Sequence, residues 1–360
     1  MIIDGTPYSR YAWFMNGYER IHAALRGEPS DTVPVSLHNF LMAAEEAGYT
    51  QGQYREDPVK ITDSFIRAVE KYRYDGILVD IDTVTLAGAV GVPVDFPEKE
   101  CARSHRGNLS SLEAVRDLKP ANILDYRYVD VWLVAVQRLV EHFRGEISVR
   151  GNCDQAPFSL ASMMRGAQNW MMDLYDESNA GLVFELLDYC CDAVFQFLEA
   201  MAQTGADILS NGDSVAGPAM ISPFMYEKYG LPYEQKCVEK AHSLGKPYVL
   251  HICGNTDPIL HLFEDTGADC MELDYLTDIE KIREIFNESL TLSGNIDPSG
   301  VLTYGSPEDV RKTVIELLEQ FHGSNRLILN SGCAIPATAP PENIKTLVET
   351  AREFGGITYA

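Results

Sequence analysis

The sequence predicts a single-domain (β/α)8 barrel of the α/β class, with an elaborated loop region after the second strand. Three observations carry this. Eight short, β-branched apolar runs recur along the 360 residues. Long amphipathic stretches separate them, which is the pattern of βα units. Nearly every run ends in a polar or metal-binding residue, as barrel strands do at the mouth that bears their chemistry. An open doubly wound sheet shares the alternation, but the count of eight and the polar strand ends favour closure.

In order, the runs are Val33–Leu37, Gly76–Ile81, Ile147–Asn152, Asp207–Asn211, Pro247–Cys253, Asp269–Asp274, Leu290–Asn295 and Arg326–Ser331. Several of the intervening helices announce their starts. Ser222-Pro223 and Ser306-Pro307-Glu308-Asp309 each set a capping serine before a proline suited to the first helical position. The stretch from Gly181 to Gln203 has apolar residues at helical spacing and stops near Gly205. The gap between the second and third runs, roughly residues 83 to 146, holds a helix pattern around Tyr126–Phe143 and reads as an enlarged loop over the barrel mouth. One domain spanning residues 1–360 follows.

Composition narrows the function classes. A net charge of −24 argues against nucleic acid or an anionic membrane as the main partner, since both require a basic surface. No apolar stretch reaches 18 residues, so no membrane span is expected. The start, MIIDGTPYSRYAWF, lacks a basic segment followed by an apolar run and does not read as a signal peptide. The eight cysteines are scattered through a chain large enough to need no disulfides, so a cytoplasmic location is expected.

The strand ends supply candidates for chemistry. In YVLHICGNT, His251 and Cys253 stand two apart, so a strand presents both on one face. That suits a zinc ligand pair, and Cys333, ending the eighth run in LILNSGCAIP, comes to the same mouth. Three N/S ligands leave the fourth tetrahedral position open, the arrangement of a catalytic zinc. A His-x-Cys pair on its own is weak evidence, because a buried cysteine is more often a packing residue. Packing is the reading for Cys190, Cys191, Cys237 and Cys270; Cys153, near a strand end, is ambiguous. Glu272 is the candidate for an occasional fourth ligand or proton acceptor, and Asp297 is a candidate catalytic acid that equally suits a helix start before Pro298. His38, Asp82, Asp154, Asn211, Asp213 and Asn295 are expected to line the substrate pocket.

From RIHAALRGEPSDTVPV near the N-terminus to NSGCAIPATAPPENIKTLVETAREFG near the C-terminus, the chain resembles the uroporphyrinogen decarboxylase superfamily. ISPFMYEKYGLPYEQK, KPYVLHICGNTDPIL and LSGNIDP fall between them in the superfamily's order. HICGNT with the later GCAIP is similar to its zinc-dependent corrinoid methyltransferase branch. That resemblance implies zinc on His251, Cys253 and Cys333, and methylcobalamin as cosubstrate, carried by a corrinoid protein partner. It implies a small thiol acceptor such as coenzyme M or homocysteine, or, in the opposite direction, a methoxy, methylthio or methylamine donor. The decarboxylases carry Arg-Gln-Ala-Gly-Arg after the first strand to hold substrate carboxylates; this chain has Asn39-Phe40-Leu41-Met42-Ala43, and only Asp82 matches their catalytic aspartate. A mouth of Asp and Asn opposes a polycarboxylate electrostatically. A non-catalytic ligand-binding barrel is the remaining alternative, and an intact three-ligand set speaks against it. Oligomeric state is not legible.

Overall fold

All eight apolar runs are strands of one parallel sheet, hydrogen-bonded in chain order. In the computed structural model, which describes residues 14–286 and 289–356, these are β1 (Ser36–Leu37), β2 (Gly76–Val79), β3 (Ser148–Gln155), β4 (Ile208–Gly212), β5 (Tyr248–Ile252), β6 (Cys270–Leu273), β7 (Thr291–Ile296) and β8 (Leu327–Ser331). Val35 bridges Leu329 in parallel, and the Leu329 amide donates to the Pro34 carbonyl at 2.9 Å, which joins β8 back to β1. The sheet is therefore a (β/α)8 barrel, as predicted. Most of the N-terminal stretch weighed against a signal peptide lies outside the described residues. No helix among the described residues is long and apolar enough to cross a membrane.

The alternation of each strand sorts its side chains between two environments. Outward residues such as Ile77, Val79, Leu209, Leu250 and Leu329 are fully buried under the helices and form the main core. Inward residues at the base, Ile208, Val249, Cys270 and Ile328, meet Ile21, Ala24 and Leu25. Those three belong to an N-terminal helix, Gly17–Arg26, that plugs the barrel bottom and starts in a capping box between Asn16 and Glu19. The sequence reading did not include this helix. With the base closed by apolar contacts, the interior is open to chemistry only at the other end.

The helix starts are where the serines place them. Ser222 accepts from the Met225 amide, and Ser306 forms a capping box with Asp309. The long helix runs Ala180–Gln203, within a residue of its predicted span. Between β2 and β3 lie a short helix, Thr85–Ala89, a hairpin pairing Val94–Asp95 with Arg103–Ser104, and the helix Arg127–Phe143. The last is the barrel's own crossover helix: its Trp132 is fully buried and donates from Nε1 to the Val79 carbonyl at 3.0 Å. The hairpin segment brings Cys101 and Ala102 to the mouth.

Candidate metal centre and substrate cavity

His251 is the last inward residue of β5, and Cys253 follows two positions on. Their Nε2 and Sγ atoms lie 3.2 Å apart, and with Cys333 the three donor atoms fall within 4.8 Å of one another. Tetrahedral zinc with the usual bond lengths sets such donors about 3.5–3.8 Å apart, so the set fits a metal with small adjustments. The tautomer is arranged as well. His251 Nδ1 donates to the Glu272 carbonyl at 2.9 Å across the β5–β6 register, leaving the Nε2 lone pair for the thiol side.

Two loops bring the cysteines in. After Cys253, Gly254 takes φ +81, and its amide donates to Asp274 Oδ2 at 2.9 Å. After β8, Gly332 lets the chain pass against the β6 loop: a Cβ there would stand 2.4 Å from the Tyr275 amide nitrogen. Ser331 Oγ then donates to the Cys333 carbonyl at 2.7 Å. The two thiols influence each other. The hydrogen bond with Cys333 pulls Cys253 below its ordinary value, and the same contact, with burial, raises Cys333 to about 12. One proton leaves readily and the second only against a neighbouring thiolate, a repulsion that a bound dication removes.

Beside this cluster lies a cavity of about 240 Å³, with a floor built from the inward residues of the remaining strands. Glu272 on β6 meets His38 Nδ1 at 3.2 Å and forms a close ion pair with Arg150 on β3. His38 Nε2 meets Asp80 at 3.0 Å, and Asn330 donates to Glu272 at 3.4 Å. Burial alone would raise the Glu272 carboxyl, but Arg150 and His38 outweigh it and hold the group well below the usual carboxylate range. Burial also opposes charge on His38, yet its hydrogen bonds to Asp80 and Glu272 raise it to about 9. At neutral pH the floor holds an imidazolium between two carboxylates. Paired with Arg150 and bonded to His38 and Asn330, Glu272 orients its neighbours on the cavity floor.

Of the expected pocket residues, His38 and Asp82 line the cavity, together with the three metal candidates and Glu272. Asp82 also accepts from the Val84 and Thr85 amides, and burial raises its carboxyl. Four expectations are corrected. Asp154 sits at φ +61 where the β3–β4 register slips, and it accepts from the Leu86 amide at 2.7 Å. That irregularity turns Gln155 into the cavity in its place. Asn211 is in the outward phase of β4, donating to the Cys153 carbonyl and accepting from Tyr248. Asp213 accepts from the Ser159 amide and hydroxyl at 2.8 and 2.6 Å, joining the β4 loop to the helix Pro157–Arg165. Asn295 donates to the Asp274 and Thr277 carbonyls. Asp297, the candidate acid, lies outside the cavity lining and accepts from the Ser299 and Gly300 amides, the turn-starting role.

Among the lining residues outside the predicted set are Asp80, Arg150, Gln155 and Cys101. Asp80 and Arg150 were within reach of strand phase, since each stands two residues from another inward position. Gln155 needed the bulge and Cys101 the long loop, neither of which leaves a local pattern. Arg150 also amends the expectation of a mouth of Asp and Asn. It stands on the floor, with its charge taken by Glu272.

The sequence model of the uroporphyrinogen decarboxylase (URO-D) family matches residues 16–354. A methylcobamide:CoM methyltransferase from Methanosarcina mazei is 29% identical over 343 residues, covering 93% of this chain and 97% of that protein. The Methanosarcina acetivorans protein of the same description is 28% identical, covering 93% and 97%. A uroporphyrinogen decarboxylase from Prochlorococcus marinus is 26% identical, covering 91% and 95%. Among solved structures, a methyltransferase from Methanosarcina mazei superposes with a TM-score of 0.85 at 24% identity, covering 94% of this chain and 99% of its own.

Proposed function

The chain belongs to the uroporphyrinogen decarboxylase family, and from that premise we propose that it is a zinc-dependent methyltransferase working between a corrinoid and a small molecule held at His251, Cys253 and Cys333. The observation that carries this is the cluster itself: one imidazole and two thiols, preset in tautomer, at the edge of a closed-bottomed cavity. The two methylcobamide:CoM methyltransferases, alike over nearly the whole chain, support the same reading.

Bound there, zinc would lower the pKa of a thiol and keep its sulfur anionic at neutral pH. In the thiol direction the methyl passes from cobalt to sulfur, the cobalt–carbon electron pair stays on cobalt, and the thiol proton is released. The opposite direction takes a methyl from a methoxy, methylthio or methylamine donor onto Co(I). The chain's own groups hold the geometry for either. Glu272 fixes His251 through its carbonyl and fixes His38 and Arg150 through its carboxylate. A cavity of about 240 Å³ admits a small molecule but not a corrin, so in this reading the corrinoid approaches from outside, carried by a corrinoid protein. Exposed Phe224, Tyr275, Leu276 and Tyr304, in the segments following β4, β6 and β7, offer apolar contacts on that side.

Decarboxylation of a polycarboxylate suits the cavity poorly, because Asp80, Asp82 and Glu272 line it and its two cations are already paired. The test is metal analysis of the purified protein, followed by demethylation of methylcobalamin read by absorbance across a panel of thiols. The expected result is about one zinc per chain and a rate abolished by chelation. A rate unaffected by chelation would overturn the proposal.

A further inference from the structure

Outside the barrel, two helices carry a pair of thiols that the metal cluster does not use. The helix Ala180–Gln203 leads into β4 and the helix Leu231–Ser243 leads into β5, so they lie side by side on the barrel wall. Asp188, Cys191 and Phe195 are spaced three and four apart on one helix, and Lys236, Lys240 and Ser243 likewise on the other. Between these two faces runs a groove of about 470 Å³. Two ion pairs tie the helices together along it, Lys236 to Asp188 at 2.9 Å and Lys240 to Glu199. Tyr233 adds a third tie, donating to Asp188 at 2.9 Å.

The register set by these pairs brings Cys191 against Cys237. Cys191 stands one turn past Asp188 and lines the groove, while Cys237 follows Lys236 and is turned inward by one helical step. The two thiols are free and hydrogen-bond to each other. Cys237 is fully buried, so the sulfur that faces the groove is that of Cys191. Cys190, its neighbour in sequence, points elsewhere, with Sγ 3.6 Å from Met164 Sδ. The hydrogen bond with Cys191, together with burial, raises the Cys237 thiol well above its ordinary value, so Cys237 keeps its proton and donates it to Cys191.

We propose that Cys191 and Cys237 form a modification site for small-molecule disulfides, which oxidise the pair to a cross-link between the two helices. The Cys191 sulfur, as thiolate, attacks one sulfur of the incoming disulfide from the groove. The S–S bond of that molecule breaks, and the departing thiolate takes up the proton that Cys191 gave up. The Cys237 sulfur then attacks the Cys191 sulfur, and the second half leaves with the Cys237 proton. Two protein thiols are oxidised, and one disulfide is reduced to two thiols. Contact between the two sulfurs makes the second step intramolecular, so the mixed disulfide does not persist. The cross-link closes the stretch from 191 to 237, which contains β4 and the segment that carries Ser214 to the substrate cavity. The site stands on its own geometry and holds whichever way a methyl group moves at the metal cluster.

The probe is bis(2-hydroxyethyl) disulfide, small and uncharged, added to the folded protein with zinc supplied. Mass-spectrometric mapping of the digested protein without reductant is expected to show Cys191 joined to Cys237, and dithiothreitol is expected to undo the link. Three variants assign the roles. Cys237→Ala is expected to stop with one hydroxyethylthio group on Cys191. Cys191→Ala is expected to slow modification of Cys237 by about tenfold or more, because the remaining thiol is covered. Cys190→Ala is expected to leave the cross-link intact. A map in which the exposed Cys101 reacts while Cys191 and Cys237 stay reduced overturns the site. So does a wild-type protein that halts at the mixed disulfide on Cys191, or a Cys191→Ala protein whose Cys237 reacts at the wild-type rate.

Discussion

The β5–β6–β8 side of the barrel mouth and the β3–β4 side carry the same kinds of residue and use them differently. On the first, the polar side chains at the strand ends turn inward: His251, Cys253, Glu272 and Cys333 all border the cavity. On the second, Asp154, Asn211 and Asp213 turn away and tie loops to the barrel wall, while Gln155 and Ser214 face the cavity. A polar strand end therefore marks either chemistry or scaffolding. What separates them is strand phase, and on the β3–β4 side the phase is reset by a register slip.

The sharpest way to break this contrast is to remove one residue from each side. Cys333→Ser is expected to lose most of the metal and nearly all methyl transfer, on the order of a hundredfold or more, because a hydroxyl is a poor zinc ligand at neutral pH. Metal analysis and the methylcobalamin assay check it, and full activity in the variant would sink the metal centre. Next in size is Glu272→Gln. It leaves Arg150 buried without its counter-charge, so denaturant unfolding should show a loss of about 3–5 kcal/mol. The variant should keep its metal and lose less activity than Cys333→Ser, since His251 is held by the backbone carbonyl of residue 272. On the scaffolding side, Asp213→Ala strips the Ser159 amide and hydroxyl of their acceptor, at a cost of about 1–3 kcal/mol. Metal content should not change, and a loss of metal would put Asp213 among the site residues after all.

These variants also mark what the sequence could tell. The barrel was legible because each of its eight strands has a strong local signature, and the shared face of His251 and Cys253 because His-x-Cys on a strand needs no more than period two. The plug helix Gly17–Arg26 precedes the first strand, so the βα alternation gave no place for it. Arg150 escaped because an arginine inside a barrel is costly unless paired, and its partner lies 122 residues away. Gln155 and Asp154 exchanged places for a reason that no one-dimensional pattern records. A bulge inserts a residue into the alternation, and only the neighbouring strand shows where. Asn211 was a plain phase error, since it stands one residue from the inward Ser210, which donates to Asn152 at 3.3 Å.

The cavity floor gives a pH prediction of intermediate size that sharpens the metal side. His38 has an ordinary value of 6.5 and is raised to about 9 in the fold. A raised folded value means that the protonated form binds its carboxylates in the native state. The stability it contributes is therefore fully present below about pH 6.5 and is lost as pH rises through about 9. Unfolding free energies measured between those limits should fall for the wild-type protein and fall less for His38→Gln. A parallel decline in both would show that other groups govern the alkaline limb.

The smallest expected effect tests the scaffolding side most directly. If Asp154 bound substrate through its charge, Asp154→Asn would lose activity heavily. The structure gives it a different task. Its Oδ2 accepts from the Leu86 amide, its backbone sits in the left-handed region, and burial with Asp82 nearby raises its carboxyl well above the ordinary range. Asparagine is nearly isosteric and among the residues that best tolerate a positive φ. The amide oxygen can still accept from Leu86. Asp154→Asn should therefore change stability by less than about 1 kcal/mol and leave methyl transfer within about twofold. Asp154→Ala, which loses both the acceptor and the tolerance of that backbone, should cost more, about 1–3 kcal/mol. An Asp154→Asn protein that folds normally, matches the wild type in metal content and transfers no methyl would return Asp154 to the active site and erase the distinction between the two sides of the mouth.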